Sequence, residues 1–252
     1  MRIKKSVRYG FTYAVAILML IGLIGFVEHK QTSRTISSVA VELDQPNGQY
    51  FLEESDILSL ITEGGHLDFT GMNMSSLDLR LLEEKLRSNQ YTENVAAFID
   101  QRGNLTVRSS QKVPMVRFVD EKGNNMYMDE FGRLLPLSEK YTARVLILSG
   151  QKAYEAINAD MNSEDKMQLM RLLDFIHADK FLKAQIAEVV WEKDEVILYP
   201  QVGNQVIEFG DLSKIEEKFK KLMIFYKRIL PSQGWNRYAR VNLNYENQIV
   251  CE

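Results

Sequence analysis

The chain has 252 residues, 45% hydrophobic and 26% charged, with a formal net charge of -3. That composition is ordinary for globular protein and long enough for one large or two small domains. The charge is unevenly spread: Arg2, Lys4, Lys5, Arg8 and Lys30 crowd the first thirty residues and leave a mildly acidic body, which argues against a nucleic-acid binder. The lone cysteine, Cys251, excludes an intrachain disulfide framework and a cysteine metal cluster, and His29, His66 and His177 share no ligand spacing.

Phe11 to Val27 carries no charge. With Tyr9 and Gly10 it reaches about 19 residues, near the roughly 20 that a helix needs to cross a bilayer core. Tyr9, Phe11 and Tyr13 sit where an aromatic belt lies, and the basic residues before them place the N-terminus in the cytoplasm and the body outside. The run is longer than the apolar region of a cleavable leader and no A-x-A-like site follows it, so residues 9–27 read as an uncleaved signal anchor after a 1–8 tail. Residues 28–35 form a polar juxtamembrane linker.

Ile36, Val39, Val41 and Leu43 suggest a strand. FLEESDILSLI follows as a helix, with Glu53, Glu54 and Asp56 in its first turn, where the helix dipole favours acids. A second helix is expected from about Ser75 to Ser88, capped by Ser76, with Leu77, Leu81, Leu82 and Leu86 as its apolar stripe. NVAAFID and NLTVRSS then pair through the loop Gln101-Arg102-Gly103. The order strand, helix, helix, strand, strand is a small α+β unit over 36–112.

A second unit, 113–252, opens with MVRFVD, the turn EKGNN and the paired strands of MYMDEFGRLLPL. RVLILSG is a continuous apolar strand ending at Gly150. A helix from Ser163 carries Met167, Met170, Leu172, Leu173 and Ile176. IAEVVW, EVILYP and QVIEFG read as a meander of three strands. GDLSKIEEKFKKLMIFYKRIL is a long amphipathic helix capped by Asp211 or Ser213, with Ile215, Phe219, Leu222, Phe225 and Ile229 inward. Tyr226 falls off that stripe, open to a partner. From Arg237 to Val250 the sequence alternates: Ala239, Val241, Leu243 and Tyr245 share one parity, Tyr238, Arg240, Asn242 and Asn244 the other. Such a pattern is a strand with one dry face, and an edge strand offers unpaired backbone groups to a partner.

No catalytic constellation stands out. Glu53-Glu54 and Asp129-Glu130 are adjacent carboxylates, read as solvated surface, and consecutive residues on a strand point to opposite faces. His66 lacks a second ligand or nucleophile. Ser149-Gly150 lacks the frame of a nucleophile elbow. Asn73 and Asn104 match the N-glycosylation pattern, which short sequences meet by chance. Trp191 and Trp235 read as packing residues, and Tyr127 and Asp129 as residues that pack a core and pin the turn before Gly132.

The whole order resembles the FtsQ/DivIB family of bacterial division proteins. VPMVRFVDEKGNNMYMDEFGRLLPL is similar to the opening of that family's β domain, at Tyr127, Asp129 and Gly132. VIEFGDLSKIEEKFKKL is similar to its Phe-Gly and penultimate helix, at Phe209 and Gly210. RVNLNY resembles its closing V-D-L-R-Y, with Asn242 where the family usually has Asp and Asn244 where it usually has Arg. The resemblance implies a POTRA-like domain over 36–112 and a mixed or antiparallel C-terminal β domain with flanking helices over 113–252. It implies a non-enzymatic scaffold without cofactor or metal, held at the cytoplasmic membrane and the division septum. FtsB/DivIC-like and FtsL-like single-pass proteins are its implied partners, and the septal peptidoglycan synthase its indirect one. In the family the FtsB-type partner adds a strand to the last β strand, which points to Tyr245, Asn247 and Gln248 as contacts. The alternative is a POTRA-containing envelope transport or secretion component that handles extended polypeptides.

Overall fold

A computed structural model describes residues 15, 17–22, 34–45, 48 and 50–252. Val15 and residues 17–22 are helical and exposed, and most of the expected 9–27 anchor lies outside the described residues. Among the described residues no helix is long and apolar enough to cross a membrane. The chain divides into two compact units, one of Met1–Asn47 with Leu52–Gln111 and one of Gly48–Phe51 with Lys112–Glu252.

The first unit is a three-stranded sheet with two helices. Its strands are β1 (Ser38–Asp44), β2 (Thr92–Ile99) and β3 (Asn104–Gln111), its helices α1 (Glu54–Ile61) and α2 (Leu79–Arg87). The sheet order is β1-β3-β2, with β1 parallel and β2 antiparallel to β3. Ile57 and Ile61 of α1 and Leu82 and Leu86 of α2 bury against Val95, Leu105 and Val107. Two residues of the expected linker are tied in: Arg34 O accepts from Met74 N (2.9 Å), and Thr35 bridges to Asn73.

The second helix begins later than expected. Met74–Ser76 is a separate 3₁₀ turn that Asn73 caps, and α2 is capped by Asp78, not Ser76. Asp78 Oδ1 accepts from Arg80 N (3.0 Å) and Leu81 N (3.3 Å), satisfying two N–H groups that a helix start leaves unpaired. With that start Leu82 and Leu86 form the inward i, i+4 pair, and Leu81 turns outward, 65% exposed.

The second unit holds one nine-stranded mixed sheet. Its strands are β4 (Pro114–Val119), β5 (Asn125–Asp129), β6 (Leu134–Leu135), β7 (Leu146–Ser149), β8 (Ile186–Glu192), β9 (Glu195–Pro200), β10 (Val206–Gly210), β11 (Arg240–Asn242) and β12 (Val250–Cys251). The spatial order is β12-β11-β10-β9-β8-β7-β4-β5-β6. β8, β9 and β10 are the expected antiparallel meander. The pairs β4–β7, β7–β8 and β10–β11 are parallel and need crossovers. Helices supply two of them: α3 (Gln151–Asn158), α4 (Glu164–Ala178) and α5 (Lys180–Gln185) between β7 and β8, then α6 (Ile215–Ile224), a π turn (Phe225–Ile229) and α7 (Leu230–Gln233) between β10 and β11; β4 reaches β7 through β5, β6 and a non-helical segment, 136–145. Leu169, Leu172, Leu173, Ile176, Phe219 and Leu222 from the helices join Val116, Leu148, Val189, Leu198, Ile207, Phe209 and Val241 from alternate strand positions in one core. Phe219 stacks on Phe175, ring centroids 4.7 Å apart.

Several sequence expectations are corrected here. α3 and α5 fall where no helix is expected. Gly150 ends β7 and starts α3 at φ 104, and a Cβ on it would come 2.3 Å from Trp191 O, so β8 can approach only a glycine. Of the apolar residues on the helix from Ser163, Met167 is 54% exposed. Neither Asp211 nor Ser213 caps α6: the N-cap is Lys214, at φ 49. Asp211 braces the preceding turn instead, accepting from Ser213 N (3.0 Å) and Lys218 Nζ (2.6 Å). Tyr226 is not open to a partner. The π turn inserts one residue, so Phe225 and Tyr226 both face inward, and Tyr226 is 3% exposed with its ring against Phe181 (5.3 Å).

Tyr127 and Asp129 pack a core and pin a turn, as expected. Tyr127 is buried and its hydroxyl accepts from Ala143 N (3.1 Å). Asp129 Oδ1 accepts from Phe131 N (3.0 Å) and Arg133 N (2.9 Å), and Oδ2 meets Arg133 Nε at 2.7 Å, across Gly132.

Candidate partner-binding edge

The expected closing strand is in fact two short strands and a loop. β11 stops at Asn242, residues 243–249 connect it to β12 with 244–248 exposed, and β12 returns antiparallel to β11. The alternation holds one side chain past the point where pairing ends and then breaks: Val241 and Leu243 are fully buried, but Tyr245, of the same parity, is 50% exposed.

Two asparagines explain the stop. Across the parallel pair, Glu208 stands beside Asn242, and Asn242 Nδ2 donates to Glu208 Oε2 (2.6 Å) while Arg240 donates to Oε1. An aspartate at 242 would set two carboxylates side by side. Asn242 Oδ1 also accepts from Asn244 N (2.9 Å), which takes that amide out of any ladder. The Asn244 amide then lies over Gly210, which has φ 75 and marks a register slip between β10 and β9.

The loop is tied back to α6. Lys221 Nζ donates to Tyr245 O (2.7 Å) and to Leu243 O, and Lys214 Nζ donates to Glu246 Oε1. Burial, then the nearby Lys218 charge, pushes the Lys221 ammonium below its usual range, while the Glu246 contact raises that of Lys214. Asn247 occupies the left-handed region at φ 55, which Asn tolerates better than most residues. Tyr245, Asn247 and Gln248 are thus brought together on one exposed loop, not along a strand.

The free backbone groups lie farther on, at β12, one end of the nine-stranded sheet. Arg240 and Glu252 exchange both of their N–H···O=C bonds, each 3.0 Å. In an antiparallel pair such residues alternate with non-bonded ones, so the Val241–Cys251 pair is of the second kind. The main-chain N–H and C=O of Cys251 therefore point away from β11, out of the sheet. Its side chain packs beside the core, and burial pushes the thiol up from its ordinary value, so Cys251 here is a small apolar residue and not a nucleophile.

Sequence reasoning missed Cys251 as an edge residue and Lys214 and Lys221 as loop anchors. The alternation pointed to a strand but not to its partners, and lysines at 214, 218 and 221, spaced 4 and 3, were a visible signal.

The comparisons with known proteins agree with this architecture. Residues 34–109 match the model of the POTRA-like domain. Residues 113–252, more than half of the chain, match the model described as FtsQ/DivIB, C-terminal related. No curated protein matches the chain. With a POTRA-like unit ahead of that C-terminal domain, the chain belongs to the FtsQ/DivIB family of division-associated proteins.

Proposed function

We propose that the protein is a non-enzymatic, single-pass scaffold of the divisome, anchored in the cytoplasmic membrane with its body outside and concentrated at the septum. It recruits FtsB/DivIC-like and FtsL-like proteins and links them to septal peptidoglycan synthesis. The observation that carries the docking step is the outward-facing backbone of Cys251 at the end of the sheet. A partner strand laid along Ile249–Cys251 pairs there, each main-chain bond contributing about 0.5–1.5 kcal/mol. Tyr245, Asn247 and Gln248 flank that edge and supply side-chain contacts, so specificity comes from the loop and affinity from the strand.

The test follows from the pairing pattern. Cys251→Pro removes the outward donor and leaves both Arg240–Glu252 bonds in place, whereas Cys251→Ala keeps the donor. Pull-down of a DivIC/FtsB-like partner should be lost with Pro and kept with Ala. Equal capture by both variants would refute edge pairing. A proline at Gln248 is a poorer probe, because that residue lies in the loop.

The rival reading, a transport component pairing extended polypeptides on its POTRA-like unit, meets an obstacle at one of that unit's two edges. Along β2, Glu83 Oε1 accepts from Ala97 N (2.8 Å) and Arg87 donates to Val95 O (3.0 Å). The two side chains also pair with each other at 2.8 Å, so α2 occupies the groups that an incoming strand needs.

A further inference from the structure

Leu243 is the last residue of the β11–β12 connection to enter the ladder region, its N–H donating to Glu208 O (3.0 Å). Among the described residues, no backbone–backbone hydrogen bond holds 245–248. The segment is nonetheless fixed, because α6 reaches across to it. Lys221 lies on α6 and Lys214 is its N-cap, and both side chains reach the same segment. Lys221 spans two successive odd-numbered carbonyls of the segment, Leu243 O and Tyr245 O, and Lys214 takes the Glu246 carboxylate between them and the Asn247 bend. Lys218, between the two, closes the preceding turn through Asp211 O (2.7 Å) and Asp211 Oδ1 (2.6 Å), so the same helix also fixes the exit of β10.

The two lysines are not equivalent. Lys214 and Glu246 are both more than half exposed, and an ion pair in that setting holds little against solvent and salt. Lys221 is partly buried and donates to uncharged carbonyls, which makes charge-assisted bonds that salt screens less. Losing those bonds removes the side-chain tie between α6 and two carbonyls, that of Leu243, which sits in a partly buried contact, and that of Tyr245, which water can reach.

We propose that Lys221, seconded by Lys214, is a positioning residue that clamps the 243–248 segment and thereby sets where Tyr245 and the β12 edge stand for a docking partner. The clamp rests on the docking reading above and adds a residue on a different element, α6, whose own side chain need not touch the partner. Binding specificity is then divided: the edge accepts a strand, and α6 determines the shape of the loop that meets its flank.

The test uses Lys221→Met, which keeps the stem and removes the donor, Lys221→Arg, which restores a donor, and Glu246→Gln, which weakens the second rung from the loop side. Amide exchange is followed in the peptide covering 243–250, and affinity is measured for a purified DivIC/FtsB-like partner. Lys221→Met should speed exchange of the bonded amides in that peptide, Leu243 and Asn244, by about tenfold to a hundredfold and weaken partner binding by about tenfold, with exchange in β8 and β9 unchanged. Lys221→Arg should recover most of both, and Glu246→Gln should move exchange in the same direction by less. Unchanged exchange in Lys221→Met overturns the clamp. Faster exchange with undiminished binding overturns its role in docking. A wild-type protein that binds no such partner refutes the docking reading itself and takes the positioning role with it, an outcome distinct from either failure of the variant.

Discussion

Gly210→Ala probes the junction on which the docking loop is built. Gly210 ends β10 in the left-handed region, at φ 75, and is buried. An added Cβ meets Asn244 Oδ1 at 1.7 Å and Cγ at 2.5 Å, which no side chain tolerates. Two costs follow, and they separate. The backbone cost of holding an L-residue in that region is about 1–2 kcal/mol, whatever the neighbour does. The collision is with the end of an exposed side chain, which can swing away, so its cost falls on the loop more than on the fold. For a unit of this size the backbone term alone lowers Tm by about 3–8 °C. Asn244→Ala, an exposed truncation, should stay within about 0.5 kcal/mol of wild type. In the double variant the collision disappears and only the backbone cost remains, so the two changes should be less than additive. Urea denaturation followed by tryptophan fluorescence suits the measurement, because the two tryptophans, Trp191 and Trp235, both lie in the second unit. Gly210→Ala should shift the midpoint down, and partner binding should fall further than the stability loss explains, with Asn244→Ala restoring part of it. Wild-type stability in Gly210→Ala, or strict additivity in the double variant, would show that the glycine is not required by this contact.

The core and the acid response give two more tests. Phe219 is fully buried, stacked on Phe175 and tilted against Phe209 at 4.9 Å, so Phe219→Ala should cost about 3–5 kcal/mol; an unshifted denaturant midpoint would remove α6 from the core. His177 is held below its ordinary value of 6.5, first by burial and then by the Lys183 charge. The folded form therefore resists a proton that the unfolded chain accepts. Its contribution is fully present above pH 6.5 and is lost as pH falls from there through the folded value. Stability measured across that window should decline more steeply in the wild type than in His177→Gln, and parallel curves would refute the assignment.

What was legible in the chain follows from which interactions are local. The meander of β8, β9 and β10 was readable because each strand packs its apolar parity on the core and returns by a short turn. Three hairpins share one turn, Asp100-x-x-Gly103-Asn104, Asp120-x-x-Gly123-Asn124 and Asp129-x-x-Gly132-Arg133, in which the aspartate accepts from the residues two and four ahead. That repetition is itself a sequence signal for where the sheets fold back. Tyr226 was misplaced because a 3.6-residue period was carried through a π turn, and nothing local in IFYKRIL announces the inserted residue.

The last sixteen residues show the deeper limit. Alternation reports which side chains are dry, and it did so at Val241 and Leu243, though not at Ala239, which is exposed, or Tyr238, which packs on the core. Where pairing stops is decided by Asn242 and Asn244 acting on Glu208 and Gly210, more than thirty positions upstream, and by Lys221 acting on the loop from a helix. Which strand is the edge is decided by the parallel crossover that places β11 beside β10 and leaves β12 outside it. A period-two pattern contains neither fact. The consequence is that Tyr245, which the family likeness singled out and parity assigned to the dry face, stands half exposed on a loop held from α6, and under the proposed docking it flanks the edge while Cys251 offers the backbone. A substitution series along 245–251 should therefore separate into two classes, side-chain truncations that weaken binding at 245–248 and a proline that abolishes it at 251.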